Sequence, residues 1–281
     1  MTIARSPHYP RVLTIAGSDS GGGAGIQADL KTFAALGCFG MSAITALTAQ
    51  NTLGVRAIHA VPAAFLKEQI ATVVEDIGVD AVKIGMLHAP EIVEAVAWAI
   101  DHYRLQRVVL DPVMVATSGD ALIEGSTVGL LVRELFPRAA LVTPNLDEAS
   151  LLLGRPVRQV DELDQAGTDL LALGARAVLL KGGHLGGEQL TDVLARAGRP
   201  EVDWPRLSGP RIASRNVHGT GCTLSSAIAA GLALGQELED AVRSAHAWVR
   251  GAITAGALVQ TGQGHGPLNH GWAPRPMRVL G

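Results

Sequence analysis

Residues 216–225 have the types and spacing most able to carry out chemistry in this chain. Their sequence is Asn-Val-His-Gly-Thr-Gly-Cys-Thr-Leu-Ser, and the small apolar run at 224–234 predicts a buried helix. Gly219, Thr220 and Gly221 therefore form a tight loop at the N-terminus of that helix. Backbone N–H groups there have no partner within the helix, and the helix dipole adds partial positive charge. Such a loop binds an anion, most often a phosphate.

Cys222 lies in the first turn of the same predicted helix, within this positive field. A helix N-terminus lowers the pKa of a thiol and makes it more reactive. A reactive thiol beside a phosphate-binding loop indicates phosphoryl transfer, with Cys222 taking the proton of the acceptor. A glycine-capped helix with a small buried cysteine explains the stretch equally well, so both interpretations stay open at this point.

The rest of the chain predicts alternating strands and helices that would position this loop. Apolar runs predict strands at 12–16, 39–47, 55–61 (an edge strand), 80–84, 107–110, 139–142 and 177–180, and short antiparallel strands within 189–214. Helical spacing predicts helices at 26–36, 63–77, 91–103, 126–136, 146–153, 162–173, 221–234 and 238–259, with loops at 17–25 and 113–125. This alternation predicts an α/β fold with a parallel sheet covered on both faces.

Polar residues follow the predicted strands, which is where ligands bind in such sheets. They are Gly17-Ser18-Asp19, Gln50-Asn51, Lys83, Asp111, Asn145 and Lys181. Lysine is scarce in this chain, so the lysines at 83 and 181, each at the end of an apolar run, are expected to have a specific role.

Composition limits the class of protein. The 281 residues are 48% hydrophobic and 17% charged, which suits one large α/β domain or two small ones. We find no repeat or linker, so we expect a single domain over 1–281 with a Gly/Pro-rich tail at 262–281 that wraps the surface. A net charge of −3 argues against a nucleic-acid partner. Two cysteines, no apolar leader in residues 1–10 and no run of membrane-spanning length predict a cytoplasmic protein that does not bind membranes.

Ordered motifs along residues 11–259 carry a family resemblance, although a P-loop is absent and no G-x-G-x-x-G follows the first strand. The motifs are GSDSGGGAGIQAD at 17–29, ITALTAQNT at 44–52, KIGML at 83–87, VLDPVM at 109–114, TPNLDEA at 143–149, KGGH at 181–184 and HGTGCT at 218–223. In this order the chain resembles the hydroxymethylpyrimidine/phosphomethylpyrimidine kinases of thiamine biosynthesis. The resemblance implies a ribokinase-like three-layer α/β/α sandwich with a mostly parallel sheet, the use of ATP and Mg²⁺, and a homodimer.

The resemblance assigns phosphoryl transfer to the 218–223 motif. The Gly219, Thr220 and Gly221 amides would form the anion hole for the transferring group. Cys222 would be the base, in the place where related sugar kinases carry an aspartate. Lys181 would reach the nucleotide phosphates, and a surface lysine with its head in water is the structural alternative.

The resemblance also implies a metal and nucleotide side of the site. Asp111 and Glu148 would hold Mg²⁺ through water, and Asn145, together with Thr220, would contact the nucleotide. Each has a structural alternative: a turn before Pro112 for Asp111, a favourable first-turn acid for Glu148, and a helix cap for Asn145.

The acceptor side would hold the pyrimidine. Asp29 and Gln50 would match the amine and ring nitrogens of an aminopyrimidine, because a carboxylate and a carboxamide supply acceptors and donors. Met86 and Val113 would contact the flat ring, beside Gly17. The alternatives are a first-turn helix acid for Asp29, a solvated loop position for Gln50 and ordinary core packing for Met86 and Val113.

Three other functions fit part of the sequence. A pyridoxal or pyridoxine kinase also phosphorylates a hydroxymethyl group on a heteroaromatic ring, but Gln50 and the 26–29 block favour the pyrimidine. A hydrolase would use Cys222 as nucleophile without ATP. A ligand-sensing protein would keep the fold without catalysis, which the presence of Lys181, Asp111, Glu148 and Cys222 argues against.

Overall fold

Short runs of valine, isoleucine and leucine form the central sheet of the computed structural model, which describes residues 7–115, 122–123, 125–183 and 187–281. The strands are β1 (Arg11–Asp19), β2 (Phe39–Asn51), β3 (Gly54–Ala60), β4 (Ala81–Ile84), β5 (Val108–Leu110), β6 (Leu141–Val142), β7 (Ala177–Leu180), β8 (Gln189–Arg196) and β9 (Arg206–Pro210). Within these residues they form one sheet in the order β3-β2-β1-β4-β5-β6-β7-β8-β9. The antiparallel pairs are β2–β3, β7–β8 and β8–β9, which confirms the predicted edge strand and the predicted antiparallel segment.

Helices cover both faces of this sheet. They are α1 (Gly25–Ala35), α2 (Ala63–Asp76), α3 (Pro90–His102), α4 (Gly125–Leu135), α5 (Leu146–Leu153), α6 (Leu163–Ala172), α7 (Thr220–Ala233) and α8 (Leu238–Gly256). One core joins α2 through α6 to side chains such as Leu13 and Ile15, and the other joins α1, α7 and α8 to side chains such as Val12. Because neighbouring strand residues point to opposite faces, β1 contributes to both cores. The predicted α/β/α sandwich is therefore confirmed.

The first two strands run further than the sequence predicts. The apolar run ends at Ala16, but β1 continues to Asp19 because Ser18 and Asp19 pair with Leu47 and Thr48 of β2 after a register shift. The glycine-rich segment predicted as a loop therefore begins within a strand. Its polar residues are held by the sheet rather than by a free turn.

The C-terminal tail packs against the end of α1 and the first described residues of the chain. Arg275 N–H donates to the Ala35 carbonyl at 2.8 Å, and Arg278 N–H donates to the Gly37 carbonyl at 3.2 Å. Leu280 N–H donates to the His8 carbonyl at 2.8 Å, so the tail joins the end of α1 to the start of the chain. Part of the predicted loop at 113–125, and His184 of the KGGH motif, lie outside the described residues.

The carboxyl ends of the parallel strands meet at one edge of the sheet, as the order of strands requires. That edge carries the residues that follow β1, β4, β5, β6 and β7, and the N-terminus of α7 faces it. None of the helices in the described ranges is both long and apolar enough to cross a membrane.

Candidate active site

A cavity of about 710 Å³ opens at the carboxyl ends of the parallel strands. It brings together almost every side chain singled out from the sequence. Its lining includes Gly17, Gln50, Met86, Asp111, Val113, Asn145, Glu148, Lys181, Gly219, Thr220, Gly221 and Cys222. Asp29 is the exception, and it lies behind the wall.

Glycines shape the end of the cavity formed by α7. Gly219 precedes the helix with φ of 80°, in the left-handed region that favours glycine, and a side chain there would overlap the Gly23 carbonyl. A Cβ atom on Gly221 would lie 3.2 Å from Lys181 Nζ. Glycine at these positions therefore brings the helix N-terminus close to both the glycine-rich segment and the lysine.

The open backbone donors of this loop differ slightly from those predicted. The Thr220 N–H already donates to the Val217 carbonyl at 3.2 Å, and the Thr220 hydroxyl donates to the same oxygen at 2.8 Å. Among the described residues, no backbone carbonyl accepts from Gly221 or Cys222 N–H. Thr220 N–H therefore leaves the predicted set of open donors, because it closes a turn at the start of α7. In the part of the chain that the structure describes, Gly219 N–H also has no backbone acceptor, so Gly219 and Gly221 stay in the set and Cys222 N–H joins them.

Cys222 is half-buried at the cavity wall, and its thiol is less acidic than the helix N-terminus alone predicts. Burial raises the pKa of Cys222 to about 11; Lys83 lowers it, and the carboxylates of Asp29 and Asp111 raise it again. The expectation of a lowered pKa is therefore wrong for the unliganded protein. Burial of the thiol, with the carboxylates of Asp29 and Asp111, outweighs the opposing effect of Lys83, and the thiol is protonated at neutral pH.

Lys181 and Asp111 form an ion pair beside the start of α7. Lys181 Nζ lies 3.0 Å from Asp111 Oδ1, which also accepts from the Thr143 hydroxyl at 3.0 Å. Burial by itself raises the pKa of Asp111, but Lys181, Lys83 and the hydrogen bonds bring it below the usual range. Asp111 is therefore a carboxylate at neutral pH, and Lys181 is neither a surface lysine nor solvated.

Asn145 and Glu148 cap α5 and also face the cavity. Glu148 N–H donates to Asn145 Oδ1 at 2.9 Å, and Asn145 N–H donates to Glu148 Oε2 at 2.7 Å. Asn145 is thus a helix cap and Glu148 a first-turn acid, the two structural alternatives, although both also line the cavity. Burial raises the pKa of Glu148 to about 7; Lys181 opposes this shift and Asp111 adds to it. A divalent cation would relieve this repulsion. The donor set fits Mg²⁺, which needs only one or two protein carboxylates beside phosphates and water.

The acceptor end of the cavity combines an apolar wall with one carboxamide. Met86 and Val113 belong to a small apolar cluster, and a Cβ on Gly17 would contact the Met86 methyl group at 2.5 Å. Gln50 lies near the end of β2, and its Oε1 accepts from the Thr48 hydroxyl at 3.1 Å. Gln50 is thus a strand residue with a fixed partner rather than a solvated loop residue. A flat ring with polar edges suits this wall.

Asp29 does not reach the acceptor site. Its side chain is fully buried in α1 and forms an ion pair with Lys83, whose Nζ lies 2.9 Å from both carboxylate oxygens. It also lies beyond the first turn of α1, so the first-turn alternative is wrong as well. The expected contact with the pyrimidine is corrected because Lys83, distant in sequence, occupies both oxygens.

Asp19 and His218 are functional candidates that the sequence did not assign a role. Asp19 accepts N–H groups of Gly21, Gly23 and Ala24 at 2.8 to 3.0 Å, and His218 Nε2 lies 2.9 Å from Asp19 Oδ2. Burial raises the pKa of Asp19, and these hydrogen bonds outweigh it and lower the pKa. An acid two residues before a glycine run was the available signal for this arrangement.

Comparisons with known proteins find relatives along most of the chain. The family model described as phosphomethylpyrimidine kinase matches residues 19–269. A hydroxymethylpyrimidine/phosphomethylpyrimidine kinase from Rhizobium meliloti is 51% identical over 259 residues, which cover 92% of this chain and 96% of that protein. A second relative of that description, from Escherichia coli, is 48% identical over 260 residues, covering 92% of this chain and 96% of its own length.

Solved structures share the fold. A phosphomethylpyrimidine kinase from Clostridium difficile has a TM-score of 0.76 at 43% identity, covering 86% of this chain and 99% of that one. An ADP complex of Bacillus subtilis pyridoxal kinase has a TM-score of 0.85 at 37% identity, covering 94% and 98%. These neighbours confirm the predicted ribokinase-like architecture.

Proposed function

The chain belongs to the phosphomethylpyrimidine kinase family, and from that premise we propose that it phosphorylates hydroxymethylpyrimidine with ATP and then phosphorylates the monophosphate to the diphosphate, as a step of thiamine biosynthesis. One observation carries the proposal. A single cavity holds the open N–H groups at the start of α7, the pair of Lys181 and Asp111, and an apolar wall suited to a flat ring. Phosphoryl transfer depends mainly on such positioning and charge neutralisation.

The nucleotide side lies at the ends of β5, β6 and β7. Lys181 supplies a fixed positive charge for the phosphates, and Asn145 and Thr220 present polar groups beside it. Asp111 and Glu148 would hold Mg²⁺, which when bound neutralises phosphate charge. The N–H groups of Gly221 and Cys222 then stabilise the charge on the transferring group.

Cys222 receives the proton of the acceptor hydroxyl. The O–H bond of the hydroxymethyl group breaks, its oxygen bonds to the γ-phosphorus, and the bond from that phosphorus to the β-phosphate oxygen breaks. The proton passes to the thiolate form of Cys222. Because the pKa of this thiol is about 11 in the unliganded protein, kcat is expected to rise with pH through the neutral range.

A pyridoxal kinase is the second candidate, favoured by the apolar wall of Met86 and Val113, which accepts any flat heteroaromatic ring. Gln50 argues for the pyrimidine, since its carboxamide can both donate to a ring nitrogen and accept from an amine. A coupled ADP assay over hydroxymethylpyrimidine, pyridoxal, pyridoxine and ribose decides between them. We expect the largest kcat/KM for the pyrimidine. A larger value for pyridoxal would replace the proposal, and ADP release independent of any acceptor would overturn both.

We further propose that the enzyme is a cytoplasmic homodimer whose ligands are small molecules. Two free thiols, Cys38 and Cys222, suit a reducing compartment. Leu47, Leu53 and Phe65 are 46%, 63% and 60% exposed near the β2–β3 edge, and association with a second copy would cover them. Light scattering of the purified protein at twice the chain mass supports the dimer. A monomer at micromolar concentration would contradict it.

A further inference from the structure

A buried ion pair lies beneath the phosphate-binding loop. Lys83 and Asp29 are both fully buried, and Lys83 Nζ lies 2.9 Å from each oxygen of the carboxylate. Asp29 also accepts from the Thr14 hydroxyl at 2.6 Å and from the Ser226 hydroxyl at 2.7 Å. Every oxygen of this carboxylate is therefore used by the protein.

The arrangement joins the elements that form the cavity. Thr14 of β1 and Lys83 of β4 are direct partners in the sheet, and both point into the layer that contains α1 and α7. Ser226 belongs to α7, one turn after Cys222. Through Asp29, the first turns of the catalytic helix are thus tied to the sheet at the level of the cavity.

Stability alone does not explain this pair. Apart from the hydroxyls of Thr14 and Ser226, the same face of the sheet carries apolar side chains such as Val12, Ala81 and Val109. Moving two charges out of water costs hydration free energy, which their mutual attraction offsets only in part. A protein with well-packed apolar side chains in their place is often as stable or more stable. Lys83 also contributes to the wall of the cavity that Cys222 lines.

We propose that the Lys83–Asp29 pair is a positioning device for Cys222, which anchors the start of α7 through Ser226 and sets the electrostatic field at the thiol. This inference rests on the proposed role of Cys222 in phosphoryl transfer. Asp29 has no oxygen left for an acceptor, because Lys83, Thr14 and Ser226 use both. Both act on the reaction through the cysteine.

The charged groups around the thiol come from four directions. Lys83 from β4 lowers the pKa of Cys222, and Asp29 from α1 and Asp111 after β5 raise it. Lys181 after β7 interacts with the same thiol, since a charged Cys222 contributes to the raised pKa of that lysine. The two members of the buried pair therefore act on Cys222 with opposite signs, and the effect of Lys83 is the larger.

Lys83 and Asp29 shift the pKa of Cys222 in opposite directions. Removing each charge in turn therefore distinguishes the proposed electrostatic role from a purely structural one. We would measure the rate of Cys222 alkylation by iodoacetamide against pH, with peptide mass spectrometry to separate Cys222 from Cys38. Asp29→Asn keeps the shape and most hydrogen bonds but removes the negative charge, while Asp111 remains to keep Lys83 charged. The midpoint of the curve of alkylation rate against pH should move to lower pH. Lys83→Met removes the positive charge, and the midpoint should move to higher pH.

The expected size is a change of about tenfold or more in the alkylation rate at fixed pH for each variant, because one unit of pKa changes the thiolate fraction about tenfold. Shifts of both variants in the same direction, or midpoints equal to wild type, would overturn the proposal. In the kinase assay the rising limb of kcat against pH should shift with the alkylation midpoint. Alkylation needs neither ATP nor acceptor, so loss of kinase activity for another reason leaves this readout intact.

Two further variants keep the test decisive if a single substitution prevents folding. The double variant Asp29→Asn/Lys83→Met leaves no unpaired buried charge, and its midpoint should lie above that of the wild type because the lost effect of Lys83 is the larger. A midpoint at or below wild type would contradict the proposal. Asp80→Asn is the matched control, since Asp80 pairs with Arg11 at 2.8 Å and also joins β1 to β4, but at their amino ends. It should lower stability and leave alkylation of Cys222 unchanged.

Discussion

Replacing Glu148 by glutamine is expected to stabilise the metal-free protein above pH 7 while it weakens phosphoryl transfer. Glu148 is only 5% exposed, and burial beside Asp111 raises its pKa to about 7. Glutamine has the same size and keeps an oxygen that can accept the Asn145 N–H. The substitution therefore removes a buried charge with little loss of the helix cap.

The magnitude follows from the pKa shift. A change from 4.5 to about 7 in the pKa of Glu148 spans about 2.5 units, and at about 1.36 kcal/mol per unit this amounts to about 3 kcal/mol. Because the pKa in the folded state lies above that of the unfolded chain, the unfolded chain releases the proton first as pH rises. The folded state therefore loses stability from about pH 4.5 to about pH 7, and the loss is constant above that range. Glutamine does not titrate, so the variant avoids this loss of stability.

Urea unfolding with a chelator present, from about pH 4 to about pH 8, measures this difference. The gain in the free energy of unfolding should be near zero at the acidic end and reach up to about 3 kcal/mol above pH 7. Glu162 gives a matched control, because it closes a similar capping box with Gln159 at the surface and its pKa is lowered by hydrogen bonds from Arg158 and Gln159. Glu162→Gln should lose stability as pH rises. A Glu148→Gln difference that is independent of pH would refute the reasoning.

Three substitutions test the roles of single residues. Cys222→Ala should lower kcat by about 10²–10⁴-fold, the range for a general base, with little change in acceptor affinity; wild-type turnover would remove Cys222 from the mechanism. Lys181→Met should weaken MgATP binding far more than pyrimidine binding, since its ammonium pairs with Asp111 on the nucleotide side; calorimetry that shows the reverse would overturn the assignment. Gln50→Leu should reduce the preference for pyrimidine over pyridoxal by roughly tenfold or more, because an unpaired polar group costs about 1–3 kcal/mol; an unchanged ratio of kcat/KM would contradict it.

The sequence predicts the architecture well because the relevant signals are local. Runs such as 81–84 and 177–180 are too short for helices and favour strands buried on both faces, and residues 63–76 show helical spacing. The bounds of strands that end in polar side chains are harder to predict from the sequence. The end of β1 was missed because Ser18 and Asp19 are held by pairing with β2, which local sequence does not show.

The site could be located from the sequence but its electrostatics could not. The cavity residues follow strands, and that rule needs only the order of elements. The pairing of Asp29 with Lys83 depends on how α1 packs against β4, and the raised pKa of Cys222 depends on its burial and on the carboxylates of Asp29 and Asp111. These contacts join segments that are distant in sequence. The helix N-terminus was therefore the only influence on the pKa of Cys222 that could be recognised from the sequence.

The central claim is that the start of α7 binds the transferring phosphoryl group through the backbone of Gly221 and Cys222. Amide NMR of the protein with MgADP, hydroxymethylpyrimidine and aluminium fluoride, which mimics the transferring group, tests it most directly. The account predicts that the Gly221 and Cys222 amide protons shift most strongly downfield when fluoride completes the complex, because each gains a charge-assisted hydrogen bond. Unchanged Gly221 and Cys222 resonances, with the fluoride-dependent shifts confined to Gly21 and Gly23, would contradict it.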